Sequence, residues 1–465
     1  MKMNAGYNLC FRTTIAWLAI LLSMECSHAA DLPSASAKEN APVIEKDGKA
    51  AAPDEEQRWL FHFQGTEIFQ GQPGFRSPYA GTNSLLSSDT FRQTSSFDLY
   101  FGARLWTGAE VYFNPEYYQG FGLSETHGIA AFPNAEAYKV GSHRGEVFVP
   151  HLFFRQVIGF GGEQEKLESD QLQLAGKVDV SRLTFTIGRL SVGDQFDANA
   201  YAHDQRTQFM NWVLVDSGAF DYAADSLGYI EGATLELNQK RWALRYGIFD
   251  VPRVSNGLAK DGHLAKAWQQ VLEWEGRWSV RDHPGKVRLL GWLEHANMGS
   301  YSETLAQPAD MEDITRTRRY RYQYGFGLNL EQEITPDLGA FLRASWRDGQ
   351  SEVWQFTDVD RGLSFGLQLK GTRWSRANDR FGLACALDGI SAEHRAFLAT
   401  GGLGPLVGDG QLSRYGVERV LETYYDAELL PHIHLALDYQ LVDNPGYNRD
   451  RGPVNIFASR VHFAF

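Results

Sequence analysis

The sequence predicts an all-β protein, a transmembrane antiparallel β-barrel of about 16 strands with long extracellular loops and one constriction loop. Three observations predict it. Apolar and polar residues alternate with period two over segments of about 9 to 14 residues, long enough for a tilted strand to cross a bilayer. After residue 30 no apolar run of about 18 residues occurs, and mean hydropathy is −0.35, so no segment suits a spanning helix. Short connections near 238–240, 335–337 and 430–431 alternate with long ones near 191–225, 251–267, 298–318 and 389–416, the asymmetry of an outer-membrane barrel.

The elements follow in chain order. Residues 1–29 read as a signal peptide, with Lys2 and Arg12 before the apolar stretch Ile15 to Leu22 and the small residues Ser27 and Ala29 at the cleavage site. Residues 30–57, rich in Ala, Pro, Lys and acids and without periodicity, read as a disordered periplasmic leader. The barrel domain is expected over 58–465. Candidate strands lie at 58–69, 96–106, 107–117, 169–178, 183–190, 226–238, 241–250, 268–280, 286–297, 319–334, 338–347, 361–372, 378–388, 417–429, 432–443 and 456–465, with 147–160 as one more candidate. An even number suits closure. The alternation is plain in Tyr320, Tyr322, Tyr324, Phe326, Leu328 and Leu330 against Arg319, Arg321, Gln323, Asn329 and Glu331. Trp59, Trp106, Trp242, Trp278, Trp346, Tyr424 and Tyr425 sit near strand ends, where interfacial girdles form.

Composition narrows the function. The chain of 465 residues is 43% hydrophobic and 13% aromatic, which excludes a disordered or collagenous chain. A net charge of −13 without a Lys/Arg cluster argues against nucleic acid. Cys10 and Cys26 fall in the signal segment, leaving Cys385 alone, so neither a disulfide framework nor a thiolate metal site is expected, and no cofactor is implied. His432, His434 and His462 share a wall, but no neighbouring acid is evident to orient them as metal ligands.

If the apolar face meets lipid, the opposite face lines water. That face carries both signs, including Arg245, Glu273, Glu275, Arg277, Arg288, Arg321, Glu331, Arg343, Glu422, Asp438 and Arg460. Ion-selective pores use rings of one sign, so a mixed wall favours a neutral polar solute. Glu273 and Glu275 stand roughly 7 Å apart by strand rise, a spacing compatible with glycosidase chemistry, but in a wet lumen both are expected to stay ionised, which removes the general acid. An enzyme is therefore not expected. The long segment 188–225 concentrates Asp194, Asp197, Asp204, Arg206, Gln195, Asn199, Gln208, Asn211, Phe196, Tyr201, Trp212 and Tyr222. Aromatic faces with acid, amide and guanidinium groups are the chemistry that recognises sugars.

Several stretches carry a family resemblance: Phe153 to Gly162, Leu183 to Arg189, Phe196 to Trp212 with its Asn199-x-Tyr201 and Asn211-Trp212 ends, Asp221 to Tyr229, and Trp242 to Arg245. In these the chain resembles the OprB-type carbohydrate-selective porins of Gram-negative outer membranes. The resemblance implies a sixteen-stranded barrel in the cell outer membrane that passes monosaccharides and related small polar solutes by facilitated diffusion. On the chemistry of loop and wall, the expected contacts to solute are Asp197, Asn199, Tyr201, Asp204, Arg206, Asn211 and Trp212, assisted by Arg245, Glu273, Arg277 and Arg321. The expected partners are small polar solutes, outer-membrane lipid and lipopolysaccharide, and the barrel assembly machinery, which would read the terminal aromatic Phe465. A general diffusion pore, a barrel enzyme and a polysaccharide-export channel stay open as alternatives.

Overall fold

The computed structural model describes residues 56–465 apart from 139–140 and 309–312. The signal peptide and nearly all of the leader lie outside the described residues. The strands are β1 (Trp59–Gly71), β2 (Phe91–Trp106), β3 (Ala109–Gly120), β4 (Ser142–Gly159), β5 (Gln164–Leu167), β6 (Gly176–Asp179), β7 (Arg182–Leu190), β8 (Ile230–Asn238), β9 (Trp242–Phe249), β10 (Trp268–Val280), β11 (His283–Met298), β12 (Arg319–Thr335), β13 (Leu338–Arg347), β14 (Arg361–Gly371), β15 (Arg376–Gly389), β16 (Glu418–Leu430), β17 (Ile433–Asp443) and β18 (Val454–Ala464). Sixteen of them form a closed antiparallel barrel, each paired with its neighbour in sequence; β5 and β6 form a separate hairpin. Closure comes from β1 against β18, with Gln64 opposite Ala464 and Gly71 opposite Phe457. With every barrel strand paired on both sides, the barrel presents no open backbone edge to the bilayer.

Alternation sets the two faces. Tyr320, Tyr322, Tyr324 and Phe326 of β12 point outward and exposed, Tyr322 by 59%, as do Leu272 and Trp274 of β10, Leu363, Phe365 and Leu367 of β14, and Leu437 of β17. This inverts the burial of a water-soluble protein and fits a barrel whose outer solvent is lipid. Of the girdle positions, Trp59 and Trp106 are strongly exposed, but Tyr424 is buried inside the barrel, its hydroxyl accepting from the Gln368 side-chain amide at 2.8 Å. Tyr424 and Tyr425 are consecutive and must face opposite sides of the sheet; only Tyr425 can join the outer belt.

Two strand expectations change. Residues 142–159 form a full barrel strand, paired with β3 and β7, whereas 169–178 contributes none to the barrel. The total of sixteen survives because one error offsets the other. The alternation in Gln171, Leu172, Gln173 and Leu174 is real, but its apolar side packs inward: Leu174 is buried among the lumen residues and Leu172 rests against the same cluster. Period two reports an apolar face without saying whether lipid or protein covers it.

At one end the connections are short, 107–108, 239–241, 281–282, 336–337, 372–375 and 431–432, with 160–181 the exception. At the other end the loops are long, 72–90, 121–141, 191–229, 250–267, 299–318, 348–360, 390–417 and 444–453. The short end is the periplasmic one. The core lies inside the barrel, where loop residues Phe132, Phe196, Phe209, Leu214, Phe220, Trp354, Phe356, Phe397 and Tyr447 pack against inward wall residues such as Tyr112, Leu290, Trp292, Phe341 and Tyr424.

Candidate functional site

Loop 191–229 enters the lumen and is held there by wall side chains that satisfy its backbone. A buried backbone amide or carbonyl without a partner is costly, so each loop residue taken into the barrel needs a polar wall residue beside it. Asp197 is the hub. Its amide donates to Glu273 at 2.7 Å, and its carboxylate accepts from the Ser217 amide at 2.6 Å and the Asn329 side chain at 2.7 Å. The Arg343 guanidinium lies 3.3 Å from the same carboxylate. Asp197 has φ +59, a conformation Asp tolerates better than most residues, and it is only 1% exposed. Asn199 donates to Asn329 Oδ1 at 2.8 Å, and the Ala200 amide donates to Glu331 at 2.9 Å.

Farther along, the amides of Met210 and Asn211 donate to Glu422 at 2.6 and 3.0 Å, and the Asn211 side chain donates to the Ala131 carbonyl and to Gln440. Asn211 thereby caps a single helical turn, α1 (Trp212–Val215), its side chain accepting from the Val213 amide. Trp212 stacks on Phe132 at 5.5 Å and meets Phe356 edge-on at 4.7 Å. Asp221 accepts from four successive amides, Trp354 to Thr357, and faces Arg347 at 3.2 Å. Fully burying a Phe or Leu side chain contributes roughly 1.5–3 kcal/mol. With Phe196, Phe209, Leu214 and Phe220 all at 0% exposure, the loop is a packed plug.

These contacts fix where the expected solute-contact residues sit. Asp197, Asn199, Asn211 and Trp212 are buried between loop and wall. Tyr201 lays its ring over Gly339, where a Cβ would come within 1.9 Å of the ring, so only glycine leaves room there. Asp204 accepts from the Arg206 amide and the Thr207 hydroxyl of its own turn, at 2.9 and 2.7 Å. Arg206 points to Glu136, Asp98 and Glu116 across the lumen. Arg277 reaches the turn 239–241 through the Gln239 carbonyl, and Arg321 holds the loop 299–318 through the Thr317 carbonyl. Arg277 pairs with Lys286 and Arg321 with Ala296 along β11, ten residues or about 33 Å apart, so these two belong to opposite ends of the barrel.

The wall charges are paired in a ladder. Arg245 binds Glu236, Glu273 and Glu275 at 2.6, 2.8 and 3.2 Å; Arg277 and Arg288 bind Glu275, and Arg288 also binds Glu331 at 3.0 Å. Glu273 is 0% exposed, so the wet, solvated carboxylate pair expected from the sequence is instead dry and gripped by arginines. His434 meets Asp426 at 2.6 Å, an acid neighbour the linear sequence did not reveal because it comes from the adjacent strand.

Solvent space remains on both sides of the plug. An outer cavity of about 390 Å³ lies among the long loops, lined in part by Asn83, Asn256, Tyr301, Arg318 and Glu352. An inner cavity of about 230 Å³ is lined by Arg155 of β4, Arg182, Thr184 and Thr186 of β7, Thr234 and Glu236 of β8, Arg245 of β9, and Asp194, Gln195 and Phe196 of the loop. Of the expected contacts only Arg245 reaches it. Arg155, Arg182, Thr184 and Glu236 are not among the expected contacts; the alternation marks them as inward, but only the path of the loop leaves them uncovered.

A barrel wall that pins an inward loop and leaves a small polar cavity beneath it agrees with the comparisons to known proteins. The chain is 24% identical over 299 residues to Porin AaxA of Chlamydia muridarum; the match takes in 63% of this chain and 55% of that one, so it spans just over half of the relative's length. The fold is similar to that of OprB from Pseudomonas putida, with a TM-score of 0.67 at 16% identity over 88% of this chain and 94% of that chain. Residues 82–465 match the model of the OprB family, described as carbohydrate-selective porins. The chain is an outer-membrane β-barrel and belongs to the OprB family of carbohydrate-selective porins.

Proposed function

We propose that the chain is a passive, non-enzymatic channel for monosaccharides and similar small polar solutes, which cross the outer membrane by facilitated diffusion. The observation that carries this reading is the inner cavity, where Arg155, Arg182, Arg245, Asp194 and Glu236 mix both signs around threonines, an amide and the partly exposed side chains of Val157, Leu167 and Val178. Such a surface offers donors, acceptors and an apolar face to a neutral polyol and no uniform potential to an ion. The contact set becomes Arg155, Arg182, Gln195, Glu236 and Arg245, while Asp197, Asn199, Asn211 and Trp212 position the loop that shapes the space. Catalysis is disfavoured by the arginine ladder, which occupies both Glu273 and Glu275. Export and assembly complete the proposal: residues 1–29 are removed, 30–57 form a leader, and Phe465, whose backbone pairs with Phe63 at 2.8 and 2.9 Å, is the signal read by the assembly machinery in the lipopolysaccharide-bearing membrane. Liposome swelling with glucose, larger oligosaccharides and amino acids tests the solute class. Glucose entering faster than charged solutes of similar size is the expected result, and equal rates would reduce the protein to a general diffusion pore.

A further inference from the structure

Connection 160–181 is the only periplasmic turn that is not short among the described residues, and it does not hang free. Its middle turns up into the barrel mouth and is tied to four strands. The Gln171 side chain donates to Gln64 of β1 at 2.6 Å, the Leu174 amide donates to the Tyr112 hydroxyl of β3 at 3.1 Å, and Arg155 of β4 donates to the Leu172 carbonyl at 3.0 Å. On β2, Arg104 reaches the Ala175 carbonyl, which also pairs with the Gln57 amide just before β1. Leu174 is 1% exposed inside the lumen. The Arg155 guanidinium lies over the rings of Tyr112 and Phe153 at 5.1 and 5.2 Å, which fixes its side chain beside the hairpin. From the other side, Arg182 binds Glu165 at 2.6 Å and the Asp179 carbonyl at 3.0 Å, anchoring both hairpin strands to the base of β7.

Leu167, Gln173 and Val178 of this hairpin form the floor of the same cavity whose roof is Gln195 and Phe196. We propose that hairpin 160–181 is a second, periplasmic-side selectivity element, with Gln173 and the anchoring Arg155 and Arg182 setting the size and polarity of solute that leaves the inner cavity. This rests on the reading of the chain as a channel. The constriction loop then acts with a partner: one wall of the selective space comes from the extracellular side and the facing wall from the periplasmic side. Both are fixed to the wall by several hydrogen bonds, so the compartment between them keeps its dimensions, and a side chain on either face changes what passes.

The test uses the full-length protein in planar bilayers and in swelling liposomes, with glucose and a series of longer oligosaccharides as probes. One variant replaces 164–178 by a short Gly-Ser turn, and a second, Gln173→Trp, adds bulk to the cavity floor while leaving the anchors intact. Heat-modifiable gel migration confirms a folded barrel in each case. The shortened hairpin is expected to raise single-channel conductance by roughly twofold or more and to admit oligosaccharides the native protein excludes. Gln173→Trp is expected to slow glucose several-fold with little loss of small-ion current. A native protein that conducts sugars, with Gln173→Trp and any folded shortened form leaving its conductance and size limit unchanged, overturns the hairpin proposal alone. A native protein that passes no sugar overturns the channel reading itself, so the two failures are told apart.

Discussion

Two sectors of the lumen carry the same kind of side chain and use it for opposite ends. On β4, β7, β8 and β9, inward groups such as Arg155, Thr184, Thr234 and Glu236 border open space. On β10 to β18, inward groups such as Glu273, Asn329, Arg343 and Glu422 are buried beneath loop 191–229 and hold its backbone. Charge and periodicity do not separate the sectors. What separates them is where the loop lies, and the loop lies where the wall can satisfy its amides and carbonyls. Polar residues in a barrel wall are therefore as much the means of fixing a constriction as the surface that a solute meets.

The largest test of that division is Asp221→Ala. It leaves four buried amides without their acceptor and takes one of the two carboxylates from Arg347, the other being Asp360 at 2.8 Å. Removing one partner of a buried charged network costs about 3–5 kcal/mol, and denaturant unfolding in detergent should show a loss of that size. Stability equal to the native protein would mean that the plug is not what holds the extracellular half together. Next in size is Asn211→Asp. The acid cannot donate to the Ala131 carbonyl or Gln440 and adds a charge beside Glu422, so about 2 kcal/mol is expected from the same measurement. Gly339→Leu follows: its side chain displaces the Tyr201 ring, with an expected loss of about 1–3 kcal/mol and noisier single-channel current as the loop shifts.

The barrel was legible in the sequence because its two faces meet different solvents, and alternation records that directly. Strand 142–159 was harder to read because Ser142 to Glu146 lack the pattern, while 169–178 imitated it by packing leucines inward. The loop was legible as special through its density of Asp, Asn and aromatics. Its residue roles were not. The wall partners of Asp197 lie on β10, β12 and β13, from 76 to 146 residues away in the chain, and no local spacing encodes them. Arg245 was found because it is an isolated inward charge on a short strand, and the threonines around it were passed over because threonine is ordinary on either face of a strand.

A pH-dependent effect refines the comparison within the loop. Burial, and then the neighbouring Asp197 carboxylate, hold the Asp216 carboxyl well above the usual carboxylate range, with Arg343 only partly opposing. A carboxyl raised on folding contributes stability below its unfolded value, near 3.9, and loses it as pH rises through the folded value. Asparagine does not titrate. Asp216→Asn is therefore expected to stabilise the protein by about 1 kcal/mol at pH 8 and by less at pH 4, read from the temperature of the gel-mobility shift at each pH. An equal gain at both would show that folding does not raise the Asp216 carboxyl.

The smallest stability effect belongs to Gln195→Glu, the same amide-to-acid change as Asn211→Asp, made sixteen residues earlier in the same loop. Gln195 faces the inner cavity, where water can solvate a new carboxylate, whereas Asn211 is 0% exposed and its amide is spent on the wall. Gln195→Glu should leave unfolding within about 0.5 kcal/mol of the native protein. Its effect should appear in transport, as a shift of the zero-current potential toward cation selectivity in a salt gradient and a slower entry of acidic sugars than of glucose. Asn211→Asp should do the reverse, weakening the fold and leaving selectivity in the surviving channels close to native. If both variants changed stability alike, the inner cavity would be as dry as the anchored side, and the distinction between the two sectors would fail.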